Sequence, residues 1–290
     1  MPSTDAYSSQ RHALTPESCA SFGHDGVLCP LDVMSEEEAA TIRAHIEAQE
    51  AQSHGRLSGL TRVKPHLLLP FLWDIVHDPR IVGPVSSLLG PDIYCIGSSI
   101  IDKPAGSDGY VAWHQDATFW GLSDAIGATA WLALSATNSE SGCMEVIPGT
   151  HTRQLAHLDT QDARNMLGAR EAVRQEIDRS LARALVLRPG QMSLHHPLVL
   201  HGSGRNLSSD RRLGFVIRYV PATISQDGAT VTLVSGRNIS GMPLETAPEG
   251  ALSADALARH ADVIRQAGRV IRRAKEAHLR QVDPSPETGT

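Results

Sequence analysis

The spacing of apolar positions divides the chain into helical and strand-like territory. From Met34 to Glu50, Ser35 stands as a cap before a first turn of acids, and Ala39, Ile42 and Ile46 recur at helical intervals, so a helix is expected there. A second helical stretch runs from about Pro70 to Leu89, broken near Asp78-Pro79 and ended by Gly90-Pro91. From Ile93 to Pro221 the texture changes to short runs of Val, Ile, Leu and Thr punctuated by Gly, Pro, Ser and Asn, the mark of antiparallel strands. The candidates are Ile93–Ile101, Tyr110–Gln115, Ala128–Ala136, Met144–Ile147, Ala184–Leu187, Gln191–His195, Leu198–His201 and Leu213–Val220. Between them Asp159–Leu181 reads as a helical insertion, and Ser253–Ala277 as a late helix with apolar spacings of three and four. About eight strands suit a closed or double-layered β architecture, so the fold class is mainly β with flanking helices. One domain is expected over residues 1–290, with a core at about 22–221, a helical C-terminal extension at about 253–280, and loosely held Ser-, Thr- and Pro-rich termini.

Composition narrows the function classes. With 41% hydrophobic and 20% charged residues, the 290-residue chain is ordinary for a globular protein. A net charge of −6 with scattered Lys and Arg offers no footprint for nucleic acid. Cys19, Cys29, Cys95 and Cys143 lie far apart, which argues against a structural zinc site or a disulfide framework and fits a reducing cytoplasm. No apolar run is long enough to span a bilayer, and the N-terminus lacks a signal-peptide apolar region. A cytoplasmic protein with no membrane partner is expected, as a monomer or small homo-oligomer.

The strongest local signal is W-H-Q-D at 113–116. A strand alternates its side chains, so His114 and Asp116 share a face and point into one cavity. An imidazole and a carboxylate so placed can take adjacent positions on one metal ion, and a distant histidine completes a facial triad with open positions. H-H-P-L-V-L-H-G-S-G-R-N at 195–206 offers that histidine, but His195 and His201 share a face in an extended strand and the pattern alone does not choose between them. R-R-L-G-F-V-I-R-Y-V at 211–220 then gives a strand with Arg212 and Arg218 in phase. A guanidinium inside a β cavity is costly unless it binds an anion, and a carboxylate is its natural bidentate partner.

Several ordered features together resemble the phytanoyl-CoA dioxygenase family of Fe(II)/2-oxoglutarate oxygenases, over roughly Phe22 to Pro221. They are F-G-H-D-G-V before a helix, H-Q-D-x-x-x-W at 114–120, S-G-x-M-x-V-I-P-G-T-H at 141–151, H-G-S-G-x-N at 201–206, and an arginine at 212. The resemblance implies a double-stranded β-helix, a cupin-like jelly roll, with helices outside and the site in the open mouth between the sheets. It implies Fe(II) held by His114, Asp116 and His201, and 2-oxoglutarate as co-substrate with O₂, its distal carboxylate on Arg212. Ser203 matches a hydroxyl that assists that carboxylate, Trp120 an aromatic position close to the co-substrate, and Gln115 the residue between the two ligands. The implied reaction is oxidation of a C–H bond of a small-molecule metabolite, with release of succinate and CO₂. Asp116 argues against halogenation, since related halogenases have a small residue there, while desaturation, cyclisation and endoperoxidation share the same cofactors.

Outside the motifs, Trp131 and Leu132 are expected in the core. His66, with Lys64, and Lys103 flank the cavity strands and are candidates for substrate contact at the pocket mouth, otherwise exposed loop cations. Arg218 could meet a substrate acid group or make a structural ion pair. Gly121–Gly127 and a stretch from about Gln226 to Ala251 are candidate lids. A non-catalytic β-barrel binder, or a cupin hydrolase, is the alternative of a different class, and Arg212 beside a complete triad is the feature that separates them.

Overall fold

The order of helices and strands follows from where the chain can bury alternate faces. The computed structural model describes residues 12–54 and 57–282. The expected loose termini, at 1–11 and 283–290, lie outside the described residues.

Helix α1 (Pro16–Asp25) opens on Thr15, whose hydroxyl accepts from Ser18 N, and stops at Gly26 in the left-handed region. Strand β1 (Val27–Asp32) follows, and then α2 (Glu36–Gln52), whose Ser35–Glu38 capping box fixes its start where the sequence places it. Helices α3 (Pro70–Val76) and α4 (Pro79–Leu89) are separated at His77-Asp78, Asp78 capping the second.

The strands are β2 (Ile93–Lys103), β3 (Val111–His114), β4 (Ala128–Ala133), β5 (Met144–Ile147), β6 (His157–Asp159), β7 (Glu171–Val173), β8 (Arg183–Ala184), β9 (Gln191–His195), β10 (Leu200–Ser203), β11 (Arg212–Pro221) and β12 (Thr232–Ser235). They form a six-stranded sheet in the order β1-β9-β4-β11-β2-β12 and a four-stranded sheet β3-β10-β5-β8. All the registered pairs in both are antiparallel. Two facing antiparallel sheets with helices outside make the jelly roll.

The larger sheet sorts its side chains by alternation. Ala130 and Leu132 of β4, Met192 and Leu194 of β9, and Phe215 and Ile217 of β11 join the main core, where Ile46, Leu72, Ile81 and Val85 of the outer helices meet them. The alternate residues, Thr129 and Trp131, His195, and Arg212, Val216 and Arg218, face the other sheet and line a cavity. The last helix, α5 (Ala254–Val282), packs beside the 3-10 turn Asp116–Phe119. Among the described residues no helix is long and apolar enough to cross a membrane.

Five segments differ from the sequence reading. Asp159–Leu181 is not helical: β6 and β7 pair as a two-stranded hairpin, and Gln161 and Arg170 sit at φ 52°. The buried Asn165 side chain bonds Ala112 N and Glu171 O, so it satisfies backbone that a helix would have to satisfy itself. Of the expected strand Ala184–Leu187, only Ala184 falls in a named strand, and Leu187 makes an isolated bridge to Thr137. The strand holding His201 starts at Leu200, after a turn in which Val199 N bonds His196 O. Edge strands β1 and β12 lack the apolar alternation that marks the others, and reading the pattern missed them.

Candidate metal and anion site

Strand β3 ends at His114, and Gln115 stays extended (φ −121°, ψ 124°), so the alternation carries through to Asp116 at the start of the 3-10 turn. His201 lies directly opposite His114 in the β10–β3 register. The three side chains meet: one ligand atom from each of His114, Asp116 and His201 lies within 4.8 Å of the others. Nε2 of His114 and of His201 approach Asp116 Oδ1 at 3.3 and 3.9 Å. Both Nδ1 atoms turn away, to Ala112 O at 2.9 Å and Val199 O at 3.0 Å. Those carbonyls hold Nδ1–H and so turn both Nε2 atoms to the cluster, as a metal requires, although without a metal Asp116 outweighs burial and raises the His114 pKa.

Asp116 is divided in function. Oδ1 faces the two imidazoles, while Oδ2 accepts from Thr129 Oγ1 at 3.1 Å and has His195 Nε2 at 3.4 Å. Burial alone would raise the Asp116 pKa, but His114, His195, His201 and Arg218 outweigh it and hold the carboxyl well below its ordinary range. Burial, with neighbouring His114 and His195, pushes His201 well down, so it is neutral. An ionised carboxylate and a neutral imidazole are the protonation states a metal needs.

At the closed end of the same cavity, Arg212 is buried with 4% exposure. Its Nη1 donates to Gly142 O at 2.8 Å, its Nε has no partner, and no carboxylate among the described residues pairs with it. Burial pushes its pKa down to about 10, so it stays charged near neutrality. The guanidinium lies 4.7 Å over the Trp131 ring, and that ring occupies the space where a Cβ on Gly214 would stand, 2.3 Å from Trp131 Cζ2. Beside it the fully buried Lys103 donates to Ser203 Oγ at 2.7 Å and also bonds Gly204 O. Burial, and then the charge of Arg212, lower the Lys103 pKa to about 7. A buried guanidinium without an acid, backed by a lysine, is the arrangement of an anion site.

A His–Asp–His cluster and a buried arginine without an acid, lining one cavity, are a donor set that suits Fe(II) and 2-oxoglutarate. The match to the phytanoyl-CoA dioxygenase (PhyH) family runs over residues 22–214. The chain belongs to the phytanoyl-CoA dioxygenase family. Iron(II) and 2-oxoglutarate, with O₂, are the cofactors of such oxygenases, and the residues present fit them.

The chain is 30% identical over 167 residues to a probable alpha-ketoglutarate-dependent hypophosphite dioxygenase of Stutzerimonas stutzeri, across 56% of this chain and 58% of that protein. It is 31% identical over 150 residues to peroxisomal phytanoyl-CoA dioxygenase of Bos taurus, across 50% and 44% respectively. The chain thus spans about half the length of these curated relatives. Among solved structures, the apo form of the non-heme monooxygenase ThoJ superposes with a TM-score of 0.80 at 28% identity, over 89% of this chain and 99% of that one.

The other residues singled out in the sequence scatter. Arg218 and Ser203 line the cavity with the triad and Arg212. Gln115 does not: alternation turns it away from His114, and its side chain bonds Arg153 O, Leu198 O and Leu155 N. Its backbone N–H donates to His157 Nε2 at 3.0 Å, and the His157 N–H donates in turn to His278 Nε2 of α5 at 3.1 Å. Gln115 therefore fixes the turn rather than the co-substrate. Trp120 lies outside the cavity lining, 5.9 Å from the Arg218 guanidinium. His66 is not at the mouth either. It is fully buried in a separate network with Ser98 and Thr232, where Lys64 pairs with Glu245. Lys103, expected at the mouth, stands at the opposite, closed end, because β2 carries it alongside Arg212.

Trp131 is buried as expected, in a smaller apolar cluster with Ala133, Leu187 and Val216 that borders the cavity, while Leu132 joins the main core. The pattern did contain that signal, since Thr129 and Trp131 are in phase. Neither expected lid borders the cavity: Gly121 lies under Val270 of α5, and Thr232–Ser235 is strand. The mouth belongs to Gly59–Val63 on one side and Met166–Gly168 on the other.

Proposed function

We propose that this chain is an Fe(II)- and 2-oxoglutarate-dependent dioxygenase that oxidises, and most simply hydroxylates, a C–H bond of a small-molecule metabolite. When bound, the iron with O₂ supplies the oxidising power, and 2-oxoglutarate leaves as succinate and CO₂. His114, Asp116 and His201 hold the metal, with Thr129 and His195 fixing the Asp116 carboxylate that they face. Arg212 takes the distal carboxylate of 2-oxoglutarate in its fork, and Ser203, with its oxygen held by Lys103, turns its proton towards the same group. Asp116 fills the third protein position with a carboxylate, which favours oxygenation over halogenation. Desaturation, cyclisation and endoperoxidation use the same residues and differ in how substrate is held. The single observation that carries the reading is the buried, acid-free Arg212 at the end of the cavity that holds the cluster. A non-catalytic barrel has no use for both.

The cavity, about 490 Å³, is of small-ligand size. We assign no nucleic-acid or membrane partner, a monomer or small homo-oligomer, and a cytoplasmic location, the last supported by four free cysteines. The test is anaerobic addition of Fe(II) and 2-oxoglutarate, read by the visible metal-to-ligand charge-transfer band. Wild type develops the band, while Asp116→Ala and Arg212→Ala weaken it. No band in iron-loaded wild type sinks the reading.

A further inference from the structure

Arg218 is in a different position from the other arginines around the cavity. Arg62 pairs with Glu50 and Asp102, and Arg211 pairs with the same two acids, so the charges at that side of the mouth are balanced. Arg218 lines the cavity with one hydrogen bond, Nη1 to Ser99 Oγ at 3.0 Å, the Trp120 face at 5.9 Å, and no acid paired with it among the described residues. A guanidinium presents five donors, so most of this fork is unused. Cross-strand register places Arg218 opposite Thr129, and Thr129 opposite His195. His195 is 2% exposed and lines the cavity, with Nε2 3.4 Å from Asp116 Oδ2 and no hydrogen bond to Nδ1. Thr129 and His195 in this row both turn to Asp116 Oδ2, so the Arg218 fork is the part whose donors the protein leaves largely unused.

Charge points the same way. With cofactors in place, the metal dication and Arg212 are balanced by Asp116 and the two carboxylates of 2-oxoglutarate. Of the three arginines that line the cavity, Arg62 has its acids and Arg212 the co-substrate, which leaves Arg218 without an acid among the described residues, Lys103 standing behind Ser203 outside that lining. Beside Ser99 and the paired Arg62 and Asp102, the wall carries the apolar Val63, Ile101, Val111, Met166 and Leu167.

We infer that Arg218 is the substrate anchor, and that the substrate is a small monocarboxylate: one carboxylate seated in the free side of the Arg218 fork, and an apolar body lying along the mouth. This rests on the oxygenase reading and names the substrate class for it. A single guanidinium suits a single negative charge, and a carboxylate matches its planar fork.

The probes are octanoate and 4-phenylbutyrate, each beside its primary amide, added to protein loaded with diamagnetic Zn(II) and 2-oxoglutarate and followed by ligand-observed NMR. In wild type each acid binds about tenfold more tightly than its amide. Arg218→Met abolishes the preference and Arg218→Lys keeps part of it. The anaerobic Fe(II)·2-oxoglutarate band is measured on the same variants and persists in both. Equal binding of acid and amide in wild type, no binding of either acid, or an acid preference that survives Arg218→Met each overturns the assignment. So does loss of the band in Arg218→Met, which makes Arg218 a co-substrate residue. Absence of the band in wild type fails the oxygenase reading itself and is read independently of the NMR.

Discussion

Lys103 ties co-substrate binding to pH. It is buried behind Ser203 and beside Arg212, and burial and that neighbouring charge bring its pKa to about 7. Below that pH the free protein carries the proton on Lys103, and above it the amine is neutral. A dianion arriving at Arg212 and Ser203 favours the protonated form, so binding raises the Lys103 pKa and takes up a proton wherever the free amine has lost it. Affinity for 2-oxoglutarate therefore falls as pH rises. Between about pH 6.5 and about pH 8.5 the protonated fraction drops from roughly three-quarters to roughly 3%, so affinity falls by roughly 25-fold if the bound form stays protonated throughout. Arg212, at about 10, keeps its charge across this window and contributes no slope. The assay is anaerobic titration of the charge-transfer band at several pH values. Calorimetry in buffers of different ionisation enthalpy counts the protons, with uptake near half a proton at pH 7 and close to one at the alkaline end. Lys103→Met should bind weakly at every pH with a flat profile. A flat profile in wild type, or an unchanged slope in Lys103→Met, would refute the coupling.

Three further outcomes follow from the geometry. Thr129→Val removes the hydroxyl that holds Asp116 Oδ2 without changing side-chain size, and should lower metal affinity by about 10- to 100-fold in a competition titration, with the fold intact by circular dichroism. Gly214→Ala puts a Cβ 2.3 Å from Trp131 Cζ2, so the ring must leave its place under Arg212. This should cost about 1–3 kcal/mol in denaturant unfolding and weaken 2-oxoglutarate binding at the same time. Glu245→Gln leaves Lys64 buried without its counter-charge, and should destabilise the protein by about 3–5 kcal/mol while leaving the charge-transfer band of the surviving folded protein unchanged.

The sequence revealed what depends on local period, and little of what depends on which sheet a strand joins. Alternation in β4, β9 and β11 was readable because polar and apolar residues trade places there, and it put His114 and Asp116 on one face. It could not separate His195 from His201. Both do face the cavity, but from opposite sheets, and sheet membership is set by pairing between distant segments. Trp131 is buried, as a large aromatic in an apolar run usually is, but at the cavity wall, where Gly214 on the neighbouring strand leaves room for its ring. Lys103 and His66 looked like loop cations, and each is buried by partners far along the chain: Ser203 and Gly204 for one, Thr232 for the other. The hairpin at 157–173 was hidden because its backbone is satisfied by the Asn165 side chain, a contact with no periodic signature.

The helix α5 sets a limit on how small this protein can be made. His278 receives the His157 N–H, His157 receives the Gln115 N–H, and Gln115 sits between the two residues that would share the iron. Phe119 meets the His278 ring edge-on, and Val270 lies against Gly121. The family match stops at residue 214, yet the turn presenting Asp116 is buttressed from residues 270 to 278. A truncation drawn at the boundary of the recognisable motif would keep every metal ligand and lose the wall they lean on. Conversely, a mutation or bound molecule that shifts the outer helix by a fraction of an ångström has a three-residue lever onto the carboxylate, so the metal's affinity can be tuned from the surface.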